Sequence, residues 1–241
     1  MRERPSPSPA GRSPRPHIAA VFFDLGGTLV DEQDIAGWVD DAARLGVVLL
    51  PDDLAHAYAD VARETDCSPR VPAPEFWRRV LGRAARREVT PTTADRFGQV
   101  QLQRERPLPL FSDARRCLEE LRGQGRRLGV ISNSRGESHV REILARRGIA
   151  EFFDTVVSSG TEGISKPDPE IFRRALARLS VPPSESFYVG DLAFTDAKAA
   201  AAVGLHSVWL NRWGTGFGDD PPEITSLLEV PVCIRILETG R

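Results

Sequence analysis

Three aspartates in this sequence lie on or just after short apolar runs and could serve as a nucleophile or as metal ligands. Asp24 ends the run in VFFDLGGTLV (residues 21–30), and Asp191 ends the run in SFYVGDLAFTD, where Asp196 follows five residues later. Carboxylate oxygens are the ligands that Mg²⁺ prefers, and a carboxylate can also attack phosphorus to form an acyl phosphate. These residues suggest a magnesium site beside a nucleophilic carboxylate.

Three further residues offer groups suited to phosphate oxygens. Ser132 in VISNS provides a hydroxyl, the backbone amide of Asn133 follows it, and Lys166 in GISKPDPEIF provides a cation. These groups can hold the oxygens of a phosphoryl group while a metal ion neutralises charge as that group moves. Each residue alone also fits an ordinary structural role, such as a helix cap or a surface charge. The combination is what indicates a site.

Alternating strand and helix patterns predict how these residues come together. After the first strand, helical patterns separate four β-branched or aromatic runs, at residues 127–133, 154–160, 186–191 and 206–211. This alternation indicates an α/β fold with a doubly wound parallel sheet, covered on both faces by helices. Ligands of such sheets bind beyond the carboxyl ends of the strands, so we expect the polar strand ends to meet there.

Residues 31–106 break the alternation, because their patterns are helical throughout. We therefore predict an α/β core made of residues 18–30 and 107–241, with a helical insertion at 31–106. In the helix predicted over 75–88, five arginines fall on one half and the apolar residues mostly on the other. This pattern favours a solvated face over an apolar one, and the alternative is that an arginine contacts an anionic substrate. After residue 211 the sequence predicts a loop and a short edge element.

Length and composition limit the possible functions. The chain has 241 residues, 41% of them hydrophobic, enough for a full core, and its net charge of -2 gives no general attraction to nucleic acid or anionic membranes. No apolar run approaches the ~20 residues of a membrane span. Residues 1–17, rich in Pro, Ser and Arg, predict a disordered tail and no secretory signal. Three scattered cysteines, Cys67, Cys117 and Cys233, favour a cytoplasmic location.

The four motifs together resemble the haloacid dehalogenase-like (HAD) superfamily, in the branch with a helical cap inserted after the first strand. The resemblance covers residues 18 to about 211, with the motifs in the family's order. It implies an Mg²⁺-dependent hydrolase acting on a small phosphorylated metabolite. The implied roles are nucleophile for Asp24, phosphate binding for Ser132 and Asn133, pairing with nucleophile and phosphate for Lys166, metal ligand for Asp191, and outer or occasional ligand for Asp196.

Gly26 departs from the family pattern. Family phosphatases usually carry an aspartate two residues after the nucleophile, which protonates the leaving oxygen and later activates water, and whose backbone carbonyl reaches the metal. Gly26 can supply the carbonyl but not the proton. General acid–base catalysis contributes about 10²–10⁴-fold, or roughly 3–5 kcal/mol of barrier. Asp31, Glu32 and Asp34 follow in one linker and raise the question whether another carboxylate substitutes; an acid at the position of Asp31 is common in relatives, and we interpret Asp31 first as structural.

The resulting hypothesis is a cytoplasmic phosphoric monoester hydrolase, monomer or homodimer, that acts through an aspartyl-phosphate at Asp24. Some sugar-phosphate phosphatases of the family have glycine at the position of Gly26 and are active, which favours an active hydrolase. The main alternative is a catalytically impaired HAD-like protein acting as a binding or regulatory module.

Three other family activities fit the sequence less well. Dehalogenases lack the second acid but work without a metal, whereas this chain keeps Asp191 and Asp196. Phosphonate-cleaving relatives need a cap lysine, and residues 31–106 contain none. Mutases depend on the missing acid.

Overall fold

A parallel six-stranded sheet forms the centre of the molecule. The computed structural model describes residues 15–65, 73–103, 108–212 and 221–241. The strands are β1 (Ala20–Phe23), β2 (Arg127–Ser132), β3 (Thr155–Ser158), β4 (Ser186–Gly190), β5 (His206–Leu210) and β6 (Glu223–Ile224). Their order in the sheet is β3-β2-β1-β4-β5-β6, and every neighbouring pair is parallel. The predicted doubly wound α/β fold is confirmed.

Helices connect the strands and cover both faces of the sheet. In the described residues they are α1 (Ile35–Arg44), α2 (Pro51–Thr65), α3 (Ala73–Ala85), α4 (Pro91–Gln103), α5 (Ala114–Gly123), α6 (Glu137–Arg146), α7 (Ser159–Glu162), α8 (Pro169–Leu179), α9 (Ala199–Val203) and α10 (Val230–Thr239). A π-helical turn, Ala193–Lys198, precedes α9.

Burial on both faces explains why the sequence of the central strand β1 is apolar at every position. Val21 and Phe23 lie in a buried cluster with residues of α5, α6 and α10, whereas Ala20 and Phe22 lie in a second cluster with residues of α8 and α9. Successive side chains of a strand point to opposite faces, so a strand covered on both faces must be apolar at every position. The buried run therefore continues to the end of β1 and stops at Asp24.

The helices α1–α4 have a hydrophobic cluster of their own. Trp77 of α3 lies at its centre, with ring centroids 5.2 Å from Trp38 and 4.9 Å from Phe97. The chain enters and leaves this helical segment side by side, since Val30 forms an antiparallel bridge with Leu110. The predicted boundary at residues 106 and 107 lies outside the described residues, as do residues 1–14 of the predicted tail and Cys67.

The arginine-rich face of α3 pairs with neighbouring acids. Arg78 donates to Glu75 at 2.8 Å, and Arg83 donates to Glu64 of α2 at 2.8 Å, all with exposed side chains. These contacts favour the solvated-face interpretation. The helix ends at Ala85, earlier than the predicted residue 88, because Arg86 adopts a left-handed conformation with φ of 51°.

The C-terminal segment contains more structure than its sequence predicted. The short edge strand β6 is present, but the ten-residue helix α10 follows it. The residues of α10 include β-branched Val and Ile, which favour strands locally. Burial of Val230, Pro231 and Ile234 overrides that preference, with Val230 and Ile234 in the same hydrophobic cluster as residues of α5. No helix in the described part of the chain combines the length and the apolar content that crossing a membrane requires.

Candidate active site

Three of the candidate residues lie at the carboxyl ends of adjacent strands. Asp24 follows β1, Ser132 ends β2 and Asp191 follows β4, and β2 and β4 are the two neighbours of β1 in the sheet. The Asp24 amide donates to the carbonyl of Val189 at 2.9 Å, which extends the pairing of β1 with β4 by one residue. Parallel pairing thus brings together side chains that are far apart in sequence.

Lys166 lies buried between two of the candidate carboxylates. Its ammonium group donates to Asp24 Oδ1 at 2.6 Å, to Asp196 Oδ1 at 2.6 Å and to the Tyr188 hydroxyl at 3.1 Å. Three acceptors match the three protons of an ammonium group, so all its donors are used. Burial acts to lower the pKa of Lys166, but the charges of Asp196 and Asp24 outweigh it and raise that pKa above its usual range. The lysine therefore places a buried positive charge beside Asp24.

The side chain of Asn133 holds Lys166 in position. Its Oδ1 accepts from the backbone amide of Lys166 at 2.8 Å, and its Nδ2 donates to the backbone carbonyl of Lys166 at 2.9 Å. The sequence predicted a role for the Asn133 backbone amide at phosphate and did not anticipate this second role of the side chain.

Asp196 and Asp191 have different surroundings. Asp196 is fully buried, and its oxygens accept from Lys166, from the Tyr188 hydroxyl at 2.9 Å and from the Leu192 amide at 3.1 Å. Asp191 is held through its backbone carbonyl, which accepts from Trp209 Nε1 at 2.8 Å. The carboxylate of Asp191 is thus better placed for a direct metal contact than that of Asp196, whose oxygens already bind three groups of the protein.

The three aspartates fit a magnesium ion. One carboxylate oxygen from each of Asp24, Asp191 and Asp196 lies within 4.8 Å of the others. Burial raises the pKa of Asp24 to about 7, with Lys166 opposing the rise and Asp196 adding to it. Burial and the charges of Asp24 and Asp196 raise the pKa of Asp191 well above its usual range. A divalent cation would relieve this repulsion, and an all-oxygen donor set suits Mg²⁺.

Gly27 explains the open turn after Asp24. Its φ is +71°, and a Cβ at this position would lie within 2.5 Å of Asp191 Cγ and Oδ2. Both the conformation and the close approach therefore require glycine. Arg212 holds this turn from outside, since it donates to the Thr28 carbonyl at 2.8 Å and to Asp113 at 2.9 Å.

A cavity of about 310 Å³ opens over these groups. Asp24, Ser132, Lys166 and Asp191 line it from the sheet side, and Tyr58 of α2 lines it from the helical segment. None of the described arginines of α3 is part of its wall. Glu32, one of the three linker acids that the sequence analysis considered as a substitute without assigning it a role, is part of this wall. Tyr58 and Tyr188 were missed as site residues, and the sequence contains no motif that marks them.

Two known phosphatases are similar to this protein in sequence. The protein is 30% identical over 199 residues to the glyceraldehyde 3-phosphate phosphatase of Pyrococcus abyssi, covering 80% of this chain and 81% of that protein. It is 34% identical over 140 residues to the phosphoserine phosphatase of Thermus thermophilus, covering 58% of this chain and 55% of that protein, so this match spans about half of the relative's length.

A solved structure shares the fold over most of the chain. The 2-haloacid dehalogenase from Pseudomonas syringae superposes with a TM-score of 0.56 and 26% sequence identity, covering 90% of this chain and 98% of that one. The sequence model of the haloacid dehalogenase-like hydrolases matches residues 18–204. This range contains all seven residues of the predicted site, and the protein belongs to the haloacid dehalogenase-like hydrolase family.

Proposed function

We propose that the protein is an Mg²⁺-dependent phosphatase that acts on a small phosphorylated metabolite through an aspartyl-phosphate at Asp24. The observation that carries this proposal is the buried Lys166 ammonium, 2.6 Å from Asp24, inside a cluster of three carboxylates. The phosphatases among its relatives support the reaction type.

In this proposal the two oxygens of Asp24 have different tasks. Lys166 binds Oδ1, so Oδ2 is the oxygen that attacks phosphorus. As the new P–O bond forms, the bond to the leaving oxygen breaks, and water then attacks phosphorus to release phosphate and restore the carboxylate. The Ser132 hydroxyl and the Asn133 amide donate to the phosphoryl oxygens during both steps, and the positive charge of Lys166, whose three N–H groups bond Asp24, Asp196 and Tyr188, attracts those oxygens. Mg²⁺ bound by Asp24, Asp191 and the Gly26 carbonyl, with Asp196 at the edge of the cluster, would neutralise phosphoryl charge.

The helical segment at residues 31–106 is the cap in this proposal, and residues 18–30 with 107–241 form the core. Tyr58 of α2 lines the cavity above Asp24, so movement of the segment changes access to the nucleophile. Lids of this kind exclude water and select substrates. The proposal places the protein in the cytoplasm, which suits the free thiols of Cys117 and Cys233, as a monomer or a homodimer.

Release of inorganic phosphate from a panel of phosphomonoesters, with Mg²⁺ or with EDTA, tests the proposal. We expect activity that requires Mg²⁺ and that disappears in Asp24→Asn. Asp31→Asn is the matched control, since the carboxylate of Asp31 accepts from the Gln33 amide at 2.8 Å in its own linker. Activity that persists in Asp24→Asn refutes the assignment of the nucleophile.

Gly26 supports one alternative, a catalytically impaired module that binds a ligand without turning it over. This alternative predicts Mg²⁺-dependent binding of beryllofluoride and no release of phosphate from any substrate. Similarity to a 2-haloacid dehalogenase adds one further arm to the panel, the release of halide from 2-haloacids. Halide release without a metal requirement would replace the phosphatase proposal.

A further inference from the structure

Backbone conformation does not require the glycine at position 26, and the carboxyl group of Glu32 lies where a side chain of residue 26 would begin. Gly27 has a positive φ, whereas Gly26 is not among the residues with φ in that range. An L-residue could therefore adopt the backbone of Gly26. A Cβ built there, however, would lie within 2.5 Å of Cδ, Oε1 and Oε2 of Glu32. Real Cβ atoms essentially never approach other atoms closer than 3.0 Å, so a side chain at position 26 requires the carboxyl group of Glu32 to leave its present place, which the end of a flexible side chain can do at little cost.

The carboxyl group of Glu32 thus occupies the volume that an aspartate side chain at position 26 would fill. The carboxyl carbon of such an aspartate would lie about 1.5 Å from its Cβ, one C–C bond away. The carboxyl carbon of Glu32 lies within 2.5 Å of the same Cβ position. Glu32 also lines the cavity with Asp24, Lys166 and Asp191. A carboxyl group is therefore present beside the nucleophile although residue 26 lacks one.

The other two acids of the linker, Asp31 and Asp34, are not part of the cavity wall. Asp31 Oδ1 accepts from the Gln33 amide at 2.8 Å. Asp34 caps α1, since its Oδ1 accepts from the Gly37 amide at 3.1 Å. Of the three acids in the linker, Glu32 is the one whose residue lines the cavity.

We propose that Glu32 is the general acid–base residue of this site and supplies from the linker the carboxyl group that Gly26 lacks. This inference rests on the proposed phosphatase function. In the first step the Glu32 carboxylic acid gives its proton to the leaving oxygen as the P–O bond breaks, and an alcohol is released. In the second step the Glu32 carboxylate takes a proton from the water that attacks phosphorus. Phosphate leaves, Asp24 is restored as a carboxylate, and Glu32 is restored as an acid.

Leaving-group dependence in the full-length protein tests this role. An alkyl phosphate such as β-glycerophosphate needs the proton, whereas the nitrophenolate of p-nitrophenyl phosphate leaves without it. For Glu32→Gln we expect kcat/KM on the alkyl phosphate to fall by about 10²–10³-fold, and by less than ~10-fold on the aryl phosphate. Retained turnover of the aryl phosphate shows that the variant is folded. Asp31→Asn also replaces a carboxylate by an amide, one residue away, and this variant should turn over both substrates at wild-type rates.

A swap of the two positions gives a second, independent measurement. Gly26→Asp combined with Glu32→Ala places a carboxyl group in the vacated volume and should recover at least ~10-fold of the alkyl phosphate activity lost in Glu32→Ala alone. Gly26→Asp in the presence of Glu32 should bring no such gain, because the two side chains compete for one space.

The outcomes separate the two proposals. An equal fall on both substrates in Glu32→Gln, or no fall on either, overturns the role of Glu32. Failure of the swap to recover alkyl phosphate activity also counts against that role. If the wild-type protein releases no phosphate from the aryl substrate, the phosphatase function itself is wrong, and the role of Glu32 is rejected with it.

Discussion

Replacing Lys166 by methionine removes the buried cation from between Asp24 and Asp196. In the native protein the ammonium group lies 2.6 Å from an oxygen of each carboxylate. Methionine keeps an unbranched chain of similar length but offers no charge and no N–H donor. The two carboxylates and the Tyr188 hydroxyl then face one another without the cation that joins them, so the variant tests how far this one charge holds the site together.

The expected loss of stability follows from the burial of these groups. The side chains of Lys166 and Asp196 are 3% and 0% exposed, and that of Asp24 is 11% exposed. Removing one partner of a buried ion pair typically costs about 3–5 kcal/mol, because the remaining charge is left uncompensated. For a protein of this size, each kcal/mol shifts Tm by about 2–4 °C. We therefore expect Lys166→Met to lower Tm by roughly 6–20 °C at pH 8 in EDTA.

Thermal unfolding followed by circular dichroism measures the effect. The chain has one other lysine, Lys198, which is exposed, so Lys198→Met is the matched control and should change stability by less than about 0.5 kcal/mol. Lys166→Met combined with Asp196→Asn removes one of the two uncompensated charges and should be more stable than Lys166→Met alone. If Lys166→Met and Lys198→Met unfold at the same temperature, or if the double variant is the less stable one, the reasoning from buried charge is refuted.

Three further predictions concern the same cluster. The pKa of Asp24 is raised to about 7 in the folded protein and lies near 3.8 in the unfolded chain, so the folded state binds the extra proton. The metal-free protein should therefore gain stability as the pH falls from 8 to 5. Thermal melts should show a weaker pH dependence for Asp24→Asn. Gly27→Ala should lower Mg²⁺ affinity by about 10–100-fold, because the new methyl group displaces Asp191. Gly125 has a similar φ of +77° but open space around its Cβ position, so Gly125→Ala is the control and should bind Mg²⁺ as the wild type does. Calorimetry measures both affinities. Tyr188→Phe removes the hydroxyl that bonds Lys166 and Asp196 and should cost about 1–3 kcal/mol in urea unfolding; an unchanged midpoint would contradict the contact.

The sequence by itself determined the α/β fold and the group of residues at the strand ends. A strand buried on both faces must be apolar at every position, so β1 is recognisable as VFF and its end is marked by Asp24. Because parallel strands end at the same edge, placing Asp24, Ser132 and Asp191 on separate strands already implied that they meet. These features depend on local patterns, which can be read without coordinates.

The tertiary structure alone decided the conformation of the C-terminal segment and the further side chains that contact the residues at the strand ends. Helix α10 forms because Val230 and Ile234 pack in a cluster with α5, although their β-branched side chains favour a strand. Likewise, nothing local to Tyr188 marks its bond to a lysine twenty-two residues earlier. Such contacts depend on packing between elements, which sequence spacing does not specify.

Gly26 and Glu32 show the same division most clearly. From the sequence, Gly26 is a missing acid and Glu32 is one of three acids in a linker. The turn that follows Asp24 folds back on itself, since the Gly27 amide donates to the Val30 carbonyl at 2.9 Å and Gly26 bridges Val30. That path brings the carboxyl group of Glu32 into the space beside Gly26. Whether the space beside a glycine is empty depends on which chain segment packs against it, and that packing exists only in the folded chain.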